Sequence, residues 1–207
     1  VARAGDEWCA LVAGEFTTTE LQSLDPTRRV AEVHVEGAVV PSARRLDGVE
    51  TARVRDLAAA VFAAESVGVA QWCVETASEY AKVREQFGRP IGQFQGVKHK
   101  CADMLAETEL ARAAAWDAAR AADEPDVAPL TAAAAASLAI DAAYGAAKDC
   151  IQVHGGIGFT WEHDAHLYLK RATATRQLLG PTSAWRVRAA DAARGGARRR
   201  LSVDLPP

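Results

Sequence analysis

The chain has 207 residues, 49% of them hydrophobic and 25% charged, and a formal net charge of −3. That length can bury a sizeable core, and the composition is that of an ordinary globular protein. The near-neutral balance excludes a chain built as a whole to lie on nucleic acid or on an acidic membrane surface.

Four cysteines (Cys9, Cys73, Cys101, Cys150) lie far apart with no C-x-x-C pair. Three of them fall in helical patterns, which predicts buried, reduced thiols in a cytoplasmic protein rather than a disulfide or zinc framework. There is no run of eighteen consecutive apolar residues and no secretory leader, so no membrane partner is expected. The chain opens at Val1 rather than methionine, as a fragment or processed product would.

Residues 1–41 read as strands. "WCALVA" (8–13) is a short apolar run and "EFTTTEL" (15–21) is rich in threonine. "VAEVHVEG" (30–37) alternates Val33 and Val35 against Glu32, His34 and Glu36. Pro41 cannot continue a ladder and closes the region. Two or three strands are too few for an independent sheet, so this is read as a remnant of a small antiparallel β-domain whose rest lies upstream, or which another chain completes. A linker over 42–50 follows.

From Thr51 the period becomes helical. Ala63, Val67, Ala70, Val74, Ala77 and Ala81 recur at steps of four and three, with Leu57, Val61, Ala64 and Gly68 widening the stripe to Gln86. Next comes "REQFGRPIGQFQG" (84–96), with two arginines, two phenylalanines, one proline and three glycines. A second helix carries Val97, Cys101, Met104, Thr108, Ala111, Ala115 and Ala118 inward, and "ADEPDVAP" (122–129) breaks it. A third helix turns Ala135, Ala139, Ala142, Ala146, Cys150 and Val153 inward. "HGGIGF" (154–159) ends it, and shorter helices are expected over 162–178 and 183–193. The fold class is mainly α: a four-helix-bundle type of domain over 51–195, then a tail over 196–207. No internal period of 20–50 residues is present.

The two glycine loops carry more chemistry than a helix connection needs. Arg84 supplies a guanidinium beside an aromatic, and Gln152 supplies an amide beside backbone without Cβ atoms. Such a set suits an anion such as a pyrophosphate. The structural alternative is a pair of glycine C-caps with Arg84 solvated. No strand precedes either loop, so neither is a G-x-G-x-x-G nucleotide turn. His163 and His166, three apart with Asp164 between them, have the look of a metal pair. The tail "ARGGARRRL" (193–201) lacks interleaved aromatics, so no nucleic-acid partner is expected. His154 is read as a loop-packing residue, and Trp72, Trp116 and Trp185 as core or interface anchors.

"YAKVREQFGRPIGQFQGVKHKCADMLAE" (80–107) and "CIQVHGGIGFTWEHDAHLYLKRA" (150–172) resemble the C-terminal half of the acyl-CoA dehydrogenases. "SLDPTRRVAEVHVEGAVVP" (23–41) looks like the last strands of that family's middle β-domain. The resemblance implies an FAD-dependent oxidoreductase that acts on an acyl-CoA substrate and passes electrons to an electron-transfer acceptor. It further implies an oligomer, with the same chain or with another dehydrogenase subunit, in which the R-x-x-F-G stretch and the second glycine loop reach the neighbour's FAD. Carried over by position, these contacts are Arg84, Gln86, Phe87, Gln95, Gln152, Gly155 and Gly156. The "EHDAH" run occurs in the family without a metal, so none is expected.

The family's catalytic glutamate has no counterpart in this reading. Placing Thr182 and Ser183 on the family's T-S puts Gly180 at that position. The alternative position on the first helix of the domain is Ala58. Glu65, two turns further along, is either a displaced base or a paired carboxylate at a helix interface. The expectation is a chain that supplies cross-interface FAD contacts without a base of its own, or else a non-catalytic structural partner of a complete subunit. Heteromeric members of the family act on bulky thioesters such as steroid side-chain CoAs.

Overall fold

The computed structural model describes residues 1–4 and 7–200. The chain divides into two units, Val1–Arg55 and Asp56–Pro207.

The first unit is a set of short ribbons. β1 (Ala2–Ala4) pairs antiparallel with β2 (Glu7–Cys9), and β3 (Thr17–Leu21) with β4 (Val30–His34), from Thr17↔His34 to Leu21↔Val30. Ala10 N–H donates to the Arg44 carbonyl (3.0 Å) and Leu46 N–H to the Trp8 carbonyl (2.8 Å), so 44–46 runs alongside the end of β2. The ladders are shorter than the sequence pattern: they stop at Cys9 rather than residue 13, and at His34 rather than 37. Each ribbon has only two strands among the described residues, and Val33 is 54% exposed. A bidentate fork from Arg44 holds Glu15, Nη1–Oε2 2.7 Å and Nη2–Oε1 2.5 Å. That guanidinium, with the Val12 N–H, holds the Glu15 carboxyl down at about 2.

Five helices follow: α1 (Thr51–Val83), α2 (Gln95–Arg120), α3 (Ala128–His154), α4 (Ala165–Leu179) and α5 (Thr182–Arg194). α3 is central. It buries 17 of its 27 residues and packs against α2, α4 and α5. Alanines at Ala135, Ala139 and Ala142 meet Ala63 of α1 and Ala111, Ala115 and Ala118 of α2. Small side chains at these contacts bring the helix axes close. Larger groups fill the next layer, where Cys73, Val74, Met104, Cys150 and Ile151 join one cluster. Trp185 closes a third cluster against Ala59, Ala136 and Ile140.

The inward rows of α1, α2 and α3 lie where the periodicity puts them, but the widening of the α1 stripe does not. Leu57 is 41% and Val61 68% exposed, and Ala64 and Gly68 are also on the surface. At about 100° per residue these four lie roughly 100–160° around the helix from the Ala63 row. The core widens in the other direction, through Ala59, Ser66, Val69 and Cys73.

Three boundaries also shift. α1 stops at Val83, short of Gln86, because the chain there turns into a hairpin. α4 starts at Ala165, whose N–H donates to Nδ1 of His163 (3.1 Å). α5 starts at Thr182, directly after Pro181. Thr51–Val83 and Ala128–Phe159 are long and apolar enough to cross a membrane by length and composition. In the bundle their apolar rows form the core. All four cysteines are free; Cys73 and Cys150 are buried, whereas Cys9 and Cys101 are only partly so.

Candidate functional site

The two glycine loops emerge from one end of the bundle. α1 delivers the first and α3 the second, and rings hold the two helix ends together. Tyr80, in the last turn of α1, stacks on His154, the last residue of α3, with centroids 4.4 Å apart. His154 packs in turn on His163 at 4.2 Å, and Trp72 stacks on Tyr168 of α4 at 3.6 Å. His154 is therefore a buried helix-end residue rather than part of the loop.

The first loop is a hairpin, which the sequence reading did not foresee. β5 (Glu85–Gln86) pairs with β6 (Arg89–Pro90), Glu85↔Pro90 and Gln86↔Arg89. The two turn residues are Phe87 (φ 53°) and Gly88 (φ 75°). Positive φ at both central positions is the type I′ geometry that matches strand twist. For phenylalanine this backbone is strained, by about 1–2 kcal/mol. Phe87 is 92% exposed, with only an edge contact to Phe94 at 6.1 Å. Ile91 N–H donates to the Arg84 carbonyl (2.8 Å), and a Cβ at Gly92 would lie 2.8 Å from the Ala81 carbonyl oxygen. The turn that follows the hairpin, Ile91–Gln93, is thus pressed on the last turn of α1.

Arg84 is exposed, and its guanidinium has no hydrogen-bond or ion-pair partner among the described residues. Arg89, also exposed, lies over the Phe94 ring at 4.3 Å. The Gln86 amide donates to the Glu85 carbonyl (2.8 Å), and Gln95, first residue of α2, meets His99 at 3.5 Å. In the second loop, Gln152 is exposed on the last turn of α3. Gly155 takes φ 62° and its N–H closes back on the Gln152 and Ile151 carbonyls, which is a helix stop. Gly156 is exposed, and a Cβ there would meet nothing within 4 Å. In these two loops, the side-chain donors with no partner among the described residues are the guanidinium of Arg84 and the amide of Gln152. A charged fork, an amide and an exposed aromatic fit the oxygens and ring system of a dinucleotide.

No carboxylate stands at the α4–α5 junction, where Leu179, Gly180 and Pro181 follow one another. Gly180 ends α4 with φ 77° and lines a cleft of about 350 Å³ with Tyr144, Thr173, Arg176, Gln177 and Pro181. Ala58 offers no acid from α1. Glu65 faces α4, where Arg171 Nε lies 3.1 Å from its carboxylate and the Thr175 hydroxyl 3.5 Å. It is a paired carboxylate at a helix interface. His166 packs on Trp161 while His163 packs on His154, and no group of three or more metal-type ligands exists among the described residues. In the tail, Arg199 reaches Asp117 (2.7 Å) and Glu124 (3.2 Å).

The pattern of the family described as "Acyl-CoA dehydrogenase, C-terminal domain" matches residues 55–193. The chain belongs to the acyl-CoA dehydrogenase family. It is 60% identical over 155 residues to acyl-CoA dehydrogenase FadE34 of Mycobacterium tuberculosis, which covers 74% of this chain and 22% of that protein. Among solved structures, butyryl-CoA dehydrogenase from Megasphaera elsdenii superposes with a TM-score of 0.83 at 27% identity, over 90% of this chain and 51% of that one. The ChsE4–ChsE5 complex from Mycobacterium tuberculosis gives 0.80 at 28% identity, over 93% and 51%. The chain thus spans about half of each of these solved chains and less than a quarter of FadE34. The family match covers the helical bundle.

Proposed function

We propose that this chain forms part of an FAD-dependent acyl-CoA dehydrogenase assembly, in which it supplies one face of the cofactor site across a subunit interface and no catalytic base. The observation that carries this reading is the pairing of an unpartnered Arg84 with Phe87, an aromatic held in a strained turn and almost fully exposed. Among the described residues Phe87 makes one edge contact, to Phe94, and the Arg84 guanidinium makes none. Both make sense if another surface closes over them.

In the assembled site Arg84 and Gln152 would hold the cofactor's phosphates, with Phe87, Gln86 and Gln95 around the adenosine end and Gly155 and Gly156 allowing close backbone approach. Bound there, FAD supplies a hydride acceptor for the β-carbon of an acyl-CoA thioester. The α-proton must leave to a carboxylate, and Leu179–Pro181, Ala58 and the paired Glu65 offer none in this chain. A base-bearing partner subunit fills the gap, and its acyl group is a bulky one such as a steroid side chain. The neighbour solved as a ChsE4–ChsE5 complex supports a two-subunit arrangement. Exposed Leu110, Trp116, Phe159 and Trp161 add apolar surface for association. An electron-transfer acceptor would then reoxidise the flavin.

The test is co-purification from the source cell, followed by flavin content and acyl-CoA-dependent dye reduction. Flavin and turnover are expected only in the complex. A stable monomer that retains FAD and turns over acyl-CoA alone would overturn the reading.

A further inference from the structure

The proposed cofactor surface is made of two loops that leave two different helices, so something must hold them in register. Two rings stand where this has to happen. Arg84 N–H donates to the Tyr80 carbonyl (2.9 Å), so the Tyr80 backbone also anchors the start of the hairpin. His154 lies two residues after Gln152 and directly before Gly155, where the helix stops. We propose that Tyr80 and His154 are positioning residues, a ring clamp that sets the Arg84 hairpin and the 152–156 loop as two halves of one dinucleotide-binding surface. This rests on the cofactor reading above.

The clamp is well defined by its surroundings. His154 Nδ1 lies 2.8 Å from the Cys150 carbonyl, which can only accept, so the proton is on Nδ1. His163 Nδ1 accepts the Ala165 N–H, so its proton is on Nε2. Backbone groups thus fix both tautomers and both ring planes. Tyr80 and His163 contact His154, and a rotation of any one ring would displace the others.

The clamp is also sensitive to acid. Burial holds His154 below the usual histidine range, and His163 adds to this, against the bond to Cys150. The titratable groups that face His154 are Tyr80 from α1, Cys150 from its own helix and His163 from the segment before α4. A histidine with a depressed folded pKa favours the packed state fully above the unfolded value of about 6.5, and that contribution is lost as the pH falls below it.

FAD affinity of the complex is measured by fluorescence titration, with assembly checked by size-exclusion chromatography. Tyr80→Leu and His154→Leu should each weaken FAD by about three- to tenfold, the value of an aromatic pair, with assembly intact. The double variant should be no worse than the weaker single. Full affinity in both singles, or losses that simply multiply, would sink the clamp. Arg84→Ala is measured in parallel. If it too keeps full affinity, the cofactor reading itself fails; if it loses FAD while the leucine variants do not, only the clamp fails. Should the leucine variants not assemble, Tyr80→Phe and His154→Phe decide. Both keep a ring and should bind FAD within about twofold of the parent at pH 7.5. His154→Phe should also flatten the parent's loss of affinity as the pH falls below about 6.5. Release of FAD from either phenylalanine variant at pH 7.5, or an unchanged acid response, would overturn the proposal.

Discussion

Arg188 of α5 donates to the buried carboxylate of Asp56 on α1, Nη2–Oδ1 2.6 Å, across 132 residues of sequence. The Asp56 side chain is 5% exposed, whereas that of Arg188 is 26%. Breaking such a pair leaves an uncompensated charge inside. Arg188→Met should lower stability by about 2–3 kcal/mol, discounted from the fully buried range because the guanidinium is partly solvated. Adding Asp56→Asn should recover part of the loss. Thermal unfolding of the three variants checks it; a double variant as unstable as Arg188→Met alone would show that the buried charge is not the cause.

Glu15 and Arg44 give the first unit a pH signature. The carboxyl is held down at about 2, first by the Arg44 fork and next by the Val12 N–H. A depressed carboxylate stabilises the fold above its unfolded pKa of about 4.3 and loses that contribution as the pH falls toward its folded value. The expected window is therefore about pH 4.5 to 2. Arg44→Ala should narrow it sharply. Carbon-detected titration of Glu15 is the direct measurement, and a midpoint near 4.3 in the parent would exclude the effect.

Gly92, in the turn just after the hairpin, is where the loop meets α1. Alanine there would put Cβ 2.8 Å from a backbone oxygen that cannot step aside cheaply. Gly92→Ala should cost about 1–3 kcal/mol in overpacking and weaken FAD by displacing the loop. A variant as stable as the parent, with unchanged FAD affinity, would mean that this turn is not pressed on the helix as described.

Glu65 tests the missing base. Its carboxylate is engaged by Arg171, so Glu65→Gln should leave turnover of the complex within about twofold, whereas loss of a general base costs about 10²–10⁴. A drop of that larger size would make Glu65 the base.

Much of this was legible in the sequence because its physics is local or periodic. The Ala63 row of α1 and the Ala135 row of α3 follow from the helical repeat, and the glycine stop at Gly155 from chain chemistry. The absence of acid around Gly180 needed only residue identities. What escaped was set by contacts between distant segments. The Phe87–Gly88 turn lacks the asparagine or aspartate that usually marks a type I′ hairpin, although a glycine second in a two-residue turn was a usable signal. Which way the α1 core would widen was undecidable while both flanks were apolar. The ladder of Tyr80, His154, His163, Trp72 and Tyr168 joins residues up to 96 apart by register alone, and only the packed bundle brings them together.

Arg84 carries the last prediction. It follows a long helix, its carbonyl is fixed by Ile91, and the hairpin behind it is stiffened by Pro90, so its guanidinium starts from a defined place. A pyrophosphate presents oxygens that an arginine fork can meet in pairs. A hydrogen bond to a charged group contributes roughly 1.5–3 kcal/mol. At about 1.4 kcal/mol per decade, Arg84→Ala should weaken FAD about ten- to a hundredfold. Arg84→Lys should recover only part, because an ammonium cannot form the fork. Arg89 is the control: its guanidinium is spent on the Phe94 ring, so Arg89→Ala should bind FAD nearly as the parent does. The measurement is FAD retained per complex after dialysis, with the oligomeric state followed in parallel. Full retention by Arg84→Ala in an intact assembly would reduce the loop to a turn between helices.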